Sequence, residues 1–554
     1  MIGSVGAVCR ATIARYGRRA WRTAGALAVA VLLAGHVGTN DVFFAGEAGP
    51  WNVRVSIRQP GVIPGLADIS VRVAEPGVER VLVTARQTRE GGGQAPPPDL
   101  ATEVRGETGL YAAQLWLMVR GSHEVVVTVE GAQGEGVARV PIVAAATKQL
   151  EMARGLEIFV LGGGLFLVLG LLTIVGAGSR ESVLPAGEPP GPADRRRAMR
   201  ATAIATCVLA LLLYGGWTWV RAESEVHRAL LDRPWSSEAT MRTDAGGRVL
   251  DFAITEPLWV NRDDEAWRVR ANRYRRADLI PDHGKLMHMF VVRDDAMDAF
   301  AHIHPERLDD SRFAVAFPPL PQGTYRVYAD IAHEDGLSHT LVASVEAGPP
   351  VENTAGEVSG PAPDPDDAWW IAASASGAAA ADTAMQAPAP PDSPGVSRLI
   401  DGSVMRWLNA DEPLVAGTDA DLVFRVEDPD GDTVALDPYM GMRGHAMLNR
   451  TDGEIFIHLH PSGMISMAAR TALQGTASGM SGMPAGMDMA GGMSGMPAGM
   501  DMAGAANRIA GSDGSIRFPL VVPEPGRYRI WVQVRRGEQV LTGSFDALIV
   551  AAEE

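Results

Sequence analysis

The stretch HAMLNRTDGEIFIHLHP, residues 445–461, predicts a β-hairpin with histidines along one face. Apolar residues flank a central Asp-Gly pair, which is typical of the tight turn between two antiparallel strands. Pairing about that turn sets His445 opposite His460 and Met447 opposite His458. Residues i and i+2 of a strand share a face, and directly opposed side chains lie about 4.5–5.5 Å apart at Cβ. This spacing is suited to binding a metal ion.

A second stretch of the same kind, HMFVVRDDAMDAFAHIHP, occupies residues 288–305. Its loop is one residue longer, and pairing sets His288 opposite His304 and Phe290 opposite His302. Both stretches contain a His, an Arg five residues later and a returning His-x-His-Pro. We therefore predict a metal site at each hairpin, the first poorer by one ligand because it has Phe290. The alternative is that these histidines are structural and hydrogen-bond nearby loops.

Other residues near the hairpins extend the candidate sites. His283 precedes the first hairpin and is a further candidate ligand. Met440 and Met442 precede the second hairpin, where together with Met447 they surround His445 in sequence. His333 and His339 flank another turn and are predicted to face each other, but the second copy has no counterpart for them.

Methionine gives a third signal, in a tandem duplication of the 13-residue unit GMSGMPAGMDMAG at 479–491 and 492–504. Methionine usually fills hydrophobic cores, and this Gly-, Ala- and Pro-rich segment has no core to fill. Thioethers are soft ligands that select Cu(I). We predict an auxiliary copper-binding segment; the alternative is a duplication without function. The candidate ligands are Met480, Met483, Met487, Met489, Met493, Met496, Met500 and Met502.

The mixture of His and Met favours copper, as Cu(I) or Cu(II), over the other common metals. Zinc prefers His, Cys and carboxylate ligands, and calcium and magnesium prefer oxygen. The two cysteines of the chain, Cys9 and Cys207, lie in the N-terminal segment and in an apolar run. Neither can serve a site in the hairpin regions.

Two apolar runs, 155–178 and 200–220, have the length of about 20 residues that a bilayer requires. The Arg-rich segment 179–199 between them is predicted to be a cytoplasmic loop, because basic residues stay on the cytoplasmic side. Residues 1–35 have the form of a signal peptide or an uncut signal anchor. We expect a protein of the bacterial inner membrane with its large domains on the periplasmic side.

Three exported domains are predicted, at 40–147, 240–347 and 400–550, the last carrying the insertion 479–504. Short alternating runs separated by turn signals predict β-sandwiches. The predicted fold class is therefore mainly β, with immunoglobulin-like sandwiches anchored by two or three transmembrane helices. Residues 348–397 are rich in Ala and Pro and are predicted to be a linker.

The formal net charge of −17 argues against nucleic acid as a partner. No nucleophile elbow, phosphate-binding loop or His-x-x-Glu zinc motif is present, so we do not expect an enzyme. The apolar runs contain no central charge that would indicate an ion path.

Residues 109–131 resemble the closing part of YtkA-like and FixH-like exported domains, and the two hairpin regions resemble bacterial membrane-anchored proteins often grouped with YtkA-like domains. The resemblance implies an immunoglobulin-like exported domain with a link to copper, and it implies no catalytic residues. The expected function is to buffer copper or to deliver it to a partner, such as a copper acceptor or an efflux system. The alternative is a metal-free envelope scaffold or adhesion protein that binds another protein or a glycan. A sensor or assembly subunit is disfavoured, because the cytoplasmic loop is too short for a signalling domain.

Overall fold

The computed structural model describes residues 41–87, 96–185, 187–229, 231–244, 247–261, 263, 278–294, 296–334, 337–350, 361–372, 395–463 and 514–552. The predicted N-terminal segment 1–35 and the methionine repeat lie outside these residues. The protein is mainly β, as predicted. It divides into a β unit, formed by residues up to Ala144 and from Pro234 onward, and a helical unit, Ala145–Arg233.

The helical unit contains α1 (Arg154–Glu181) and α2 (Pro192–Ala229), both long and apolar enough to cross a membrane by length and composition. The two helices leave residues 182–191 as the connection between them, inside the predicted cytoplasmic loop 179–199. Arginines assigned to the loop lie in the first turns of α2. Proline suits the first position of a helix, and the Gly191 N–H donates to the Asp194 carboxylate at 3.0 Å, so the helix begins before the arginines.

The first domain of the β unit is an eight-stranded sheet with the order β1-β2-β3-β6-β5-β4-β7-β8. Alternate residues of its strands, such as Val53, Val55 and Ile57, are buried, as expected for a sheet with one core face. The strands are β1 (Val42–Ala48), β2 (Trp51–Arg58), β3 (Gly65–Val73), β4 (Val78–Gln87), β5 (Asp99–Glu103), β6 (Leu110–Leu117), β7 (Gly121–Gly131) and β8 (Gly134–Ala144).

The second domain packs two sheets on a shared core. One sheet has the order β14-β15-β10-β9; the other has the order β11-β16-β12-β13-β18, with β17 also paired to β16. A short helix, α3 (Pro257–Val260), follows β10. The strands are β9 (Ser237–Asp244), β10 (Gly247–Ile254), β11 (Leu279–Ile280), β12 (His288–Arg293), β13 (Ala299–Ile303), β14 (Glu306–Arg307), β15 (Arg312–Ala316), β16 (Gly323–His333), β17 (Ser338–Ala347) and β18 (Ala368–Ile371).

The third domain repeats this two-layer arrangement. Its sheets have the orders β19-β20-β22-β25 and β21-β27-β26-β23-β24, again around one core. The strands are β19 (Val396–Arg398), β20 (Val404–Trp407), β21 (Leu414–Val415), β22 (Asp419–Glu427), β23 (His445–Arg450), β24 (Phe456–Leu459), β25 (Ile516–Val521), β26 (Gly526–Arg536) and β27 (Gln539–Val550).

The hairpin sheets of these two domains pack against each other through their outer faces. Phe300 stacks on Trp531, with ring centres 4.6 Å apart, and Tyr328 stacks on Phe456 at 4.3 Å. Strands β12, β13 and β23 are therefore buried on both faces. This explains why they read as continuous apolar runs and do not alternate.

The predicted linker 348–397 contains structured residues and is wrong in its middle part. Strand β18 lies within it and pairs with β13, setting Trp370 opposite Phe300. The apolar residues Trp369, Trp370 and Ile371 supply the side chains that a strand needs, although the composition around them is that of a linker. This strand brings the acidic residues that precede it next to the first hairpin.

The two hairpin domains share a tyrosine anchor at the start of β16 and of β26. The Tyr325 hydroxyl donates to the Pro321 carbonyl at 2.6 Å, and the Tyr528 hydroxyl donates to the Glu524 carbonyl at 2.9 Å. Both bonds reach four residues back, and both tyrosines are buried. Burial raises the pKa of Tyr528 to about 12, so the hydroxyl keeps its proton and acts as a donor at neutral pH.

We expect Tyr325→Phe and Tyr528→Phe each to lower the free energy of unfolding by about 0.5–1.5 kcal/mol, because each removes the hydrogen bond that a buried tyrosine hydroxyl donates to a backbone carbonyl. Chemical denaturation followed by tryptophan fluorescence measures this change. Tyr111→Phe, a partly exposed tyrosine of the first domain, is the control and should change stability much less. Equal effects at all three positions would contradict the anchoring role.

Candidate metal centre

Seven histidines of the two hairpin regions meet between the second and third domains. Neighbouring rings have centres 4.5–6.1 Å apart. The cluster is buried: His302 and His445 are 0% exposed, and the most accessible side chain, that of His458, is 9% exposed. The members of this histidine cluster are His283, His288, His302, His304, His445, His458 and His460.

The predicted hairpin registers are confirmed. Phe290 lies opposite His302 in the first hairpin, and Met447 lies opposite His458 in the second. The two His-x-His pairs each share a face, with ring centres 4.7 Å apart for His302 and His304 and 4.5 Å apart for the second pair. The hairpins thus present their histidines to each other across the domain boundary.

Two groups of three histidines have ring nitrogens within 4.8 Å of one another. The first group, which we call the intradomain triad, is His288, His302 and His304. The second group, the interdomain triad, combines His283 of the second domain with His445 and His460 of the third. His458 lies beside both, with its ring centre 5.5 Å from that of His445 and 5.9 Å from that of His288.

His283 reaches the third domain because of an unusual turn. Its backbone has φ of 50°, and Gly284 follows with φ of 82°, which are the two successive positive values of a type I′ turn. The same turn recurs before the second hairpin, where Met440 has φ of 49° and Gly441 has φ of 78°. A non-glycine residue in this region is strained and indicates a position held by its surroundings.

Five of the seven rings are held by a hydrogen bond on one nitrogen. His288 Nε2 donates to the Asp282 carbonyl at 3.0 Å, and His283 hydrogen-bonds the backbone of Met440. The other three rings use the side chains of Gln533, Asp367 and Asp330. The bonds are His302 Nδ1 to Gln533 Oε1 at 2.9 Å, His304 Nδ1 to Asp367 at 2.9 Å and His458 Nδ1 to Asp330 at 3.1 Å.

The remaining nitrogens face one another inside the cluster. His304 Nε2, His458 Nε2 and both nitrogens of His445 have no hydrogen-bond partner among the described residues. His288 Nδ1 and His302 Nε2 lie 3.2 Å apart. Each of these two rings donates its proton from its other nitrogen, so two lone pairs face each other across that distance. Two ligands of a tetrahedral ion with bonds of 2.0–2.1 Å are separated by about 3.3 Å.

Burial favours the neutral form of four of the seven imidazoles. Burial lowers the pKa values of His288, His302 and His445 well below the usual range, and the neighbouring histidines lower them further. Burial also lowers the pKa of His283, although Asp282 opposes the shift. Neutral imidazole is the form that binds metal ions.

The predicted methionine ligands that the structure describes lie mainly among apolar side chains. Met447 packs with Phe290, Phe456 and Trp531 in the apolar part of the interface. Met440 packs with Ala368, Tyr439 and Val540, and Met442 is buried. Phe290, at the position equivalent to Met447, stacks on His302 with ring centres 4.3 Å apart.

Sequence reasoning did not identify the residues that orient the rings. Asp367 lies in the predicted linker, where its signal was the short apolar segment that follows it. Gln533 and Asp330 occupy equivalent positions on β26 and β16, opposite His445 and His288 respectively. A polar residue in an otherwise apolar central strand, opposite a candidate ligand, is the pattern that could have indicated them.

His333 and His339 form a separate pair in the second domain. Their rings are 5.4 Å apart, but the two residues are not directly opposite each other as predicted, because His339 lies opposite Ile331 and the His333 N–H donates to the Leu337 carbonyl. Both pack against Trp235, at 5.3 and 4.1 Å. They are not members of the histidine cluster.

A family model described as a domain of unknown function, DUF8832, matches residues 251–348 and 398–551. These segments make up just under half of the chain and lie in the two domains that supply the histidine cluster. None of the curated proteins matches the chain.

Among solved structures, the chain is similar to a tetra-tandem repeat in the extending region of a large adhesion protein. The identity is 11%, the match covers 88% of this chain and 71% of that one, and the TM-score is 0.14. The chain is also similar to dimeric latent PorU from Porphyromonas gingivalis, with 8% identity over 93% of this chain and 34% of that one and a TM-score of 0.13. A third similar structure is InvD of Yersinia pseudotuberculosis, with 10% identity over 74% of this chain and 75% of that one and a TM-score of 0.13. Likenesses with such TM-scores carry no argument about fold or function.

We expect the metal-free protein to lose stability as the pH falls from 7.5 to 5.5. The unfolded chain binds protons at imidazoles of ordinary pKa, about 6.5, whereas the folded protein keeps His288, His302 and His445 neutral. Each of these histidines should lower the free energy of unfolding by about 1.4 kcal/mol over this range. Denaturation in the presence of a chelator at several pH values measures the slope.

Replacement of these three histidines by Gln should make that slope shallower. A His123→Gln variant, which changes a buried histidine of the first domain, serves as the comparison for a single site outside the cluster. Equal slopes in the wild-type and triple-variant proteins would contradict the neutral buried state.

Proposed function

We propose that this protein binds copper at the histidine cluster and buffers the ion or passes it to a partner protein. One observation carries the proposal: five buried imidazoles are held through one nitrogen while the other nitrogen faces a common interior. Histidines that bind metals usually donate their second ring N–H to a carboxylate or carbonyl, which fixes ring orientation and tautomer. A buried lone pair without a donor is costly, and a bound cation removes that cost.

Copper is favoured by the combination of ligands in the chain. Imidazole suits copper, zinc, nickel and iron alike, so the cluster by itself leaves the metal open. The methionine repeat adds thioethers that select Cu(I). In the sequence the repeat follows the second hairpin, which supplies His445, His458 and His460 to the cluster. A Cu(I)-binding segment close to these histidines in sequence is suited to loading the cluster or unloading it.

The setting that we propose is a bacterial inner membrane, with the β domains on the periplasmic side. Support comes from helices α1 and α2 and from the arginines near the start of α2, which favour a cytoplasmic connection. The immunoglobulin-like assignment is supported by the two tyrosine anchors, a feature of such sandwiches. The resemblance to YtkA-like and FixH-like domains remains a prediction, since the family model that matches the chain describes a domain of unknown function.

The test is a titration of the full chain, in detergent and stripped with a chelator, with Cu(I), Cu(II) and Zn(II). We expect copper to bind tightly, and we expect a variant with His445→Ala, His458→Ala and His460→Ala to lose at least 100-fold in affinity for the copper that these three histidines bind. His123→Gln should bind as the wild type does. A further variant lacking residues 479–504 separates Cu(I) bound by the repeat from copper bound by the cluster.

Copper binding that is unchanged in the triple variant would overturn the cluster as the site. Preference for Zn(II) over both copper states would overturn the choice of metal. Absence of metal binding would favour the structural alternative, in which the histidines only join two domains of a scaffold or adhesion protein.

The hydrogen bonds around the cluster give a second prediction. Asp330→Asn should weaken copper binding by about 10–100-fold while leaving the site present, because the residue orients His458 without binding the ion. Competition with a chromophoric chelator measures the affinity. Asp251→Asn, which changes a carboxylate paired with Arg242 on the outer sheet, is the matched control and should have wild-type affinity.

A further inference from the structure

We infer that the histidine cluster is a two-ion centre. One ion lies at the intradomain triad, and the second lies at the interdomain triad. This inference rests on the proposed metal-binding function and adds to it the number of ions and their positions.

The number of ligands exceeds what one ion can use. Zinc- and copper-type ions in proteins take about four nitrogen or sulfur ligands, and the cluster contains seven imidazoles. The two triads have no member in common, and within each the ligand atoms lie within 4.8 Å of one another. A single ion at the intradomain triad leaves His283 Nε2 and both nitrogens of His445 without a hydrogen-bond partner among the described residues.

Each triad has the local features of a separate site. In the intradomain triad, the two opposed lone pairs of His288 and His302 are 3.2 Å apart, and His304 Nε2 is a third inward nitrogen without a donor. In the interdomain triad, His283 Nε2 and both nitrogens of His445 are inward and without a hydrogen bond from the described residues. His458 lies between the triads and can complete either one.

The triads are close enough for two ions to interact magnetically. The ring of His283 lies 6.0 Å from that of His288, and the ring of His302 lies 6.1 Å from that of His445, centre to centre. Negative charge is also present on both sides. Asp367 accepts from His304 beside the intradomain triad, and Asp282 lies 3.7 Å from His283 Nε2 beside the interdomain triad.

The second ion has a structural consequence that the first does not. The interdomain triad is assembled from two domains, so its ion connects them, whereas the intradomain triad belongs to the first hairpin alone. The turn that carries His283 has Met440 at the equivalent position of the third domain. Of these two turns, only the one in the second domain presents a histidine, and this histidine contacts His445 and His460 of the third domain.

The test is to load the full chain with Cu(II) and to measure both bound copper by mass spectrometry and the electron paramagnetic resonance spectrum. Cu(II) is chosen because the thioethers of the methionine repeat select Cu(I). We expect two equivalents per chain and a spin-coupled spectrum with a half-field signal. A His302→Gln, His304→Gln variant and a His283→Gln, His460→Gln variant should each bind one equivalent and show an uncoupled mononuclear spectrum.

The His123→Gln protein should keep two coupled equivalents, and circular dichroism checks that every variant is folded. If a double variant does not fold, the single replacements His302→Gln and His283→Gln carry the same expectation of lost spin coupling. One equivalent with an uncoupled spectrum in the wild type would overturn the two-ion centre and leave the proposed copper function intact. No bound copper would overturn both.

Discussion

The packing of one hairpin sheet on the other is the constraint on which the rest of the site depends. Phe290, Phe300, Met447, Phe456 and Trp531 fill one part of that interface, and the histidine cluster fills the adjoining part. Burial of the aromatic side chains stabilises the contact by about 1.5–3 kcal/mol for each large residue. The same contact excludes water from the imidazoles. At the surface of either domain alone, these imidazoles would be solvated. They are shielded from water because the apolar part of the interface keeps the two domains together.

Exclusion of water makes the hydrogen bonds at the rim of the cluster decisive. In a medium of low polarity, an unpaired polar group is expensive and a paired one is strongly oriented. Asp330, Asp367 and Gln533 each accept from one imidazole and so fix which nitrogen carries the proton. The lone pairs on the inner nitrogens follow from this arrangement. The chemistry available at the centre is therefore set by residues that do not line it.

The sequence predicts the hairpins well because their information is local. Alternating ligands, a turn centred on Asp452 and Gly453, and a repeated His-x-His-Pro determine register, and both registers are found in the structure. The meeting of the two hairpins could not be predicted, since it depends on the outer faces of two sheets far apart in sequence. The role of Asp367 was hidden for a different reason: a four-residue strand inside a low-complexity segment contributes too few residues to change its average composition.

The two hairpin domains have similar sheets but differ at the positions that decide how their histidines meet. The turns before the hairpins have the same backbone, but one presents His283 and the other Met440. His283 lies against His445 and His460 of the other domain, while Met440 packs on Ala368 and Val540. Within the hairpins the substitution runs the other way, with Phe290 in one copy and Met447 in the other. A symmetric pair of domains would give two equal sites related by the domain interface. These differences instead leave the intradomain triad complete within the second domain and make the interdomain triad depend on the contact between the two domains. Domain association and ligand assembly are therefore coupled only at the interdomain triad.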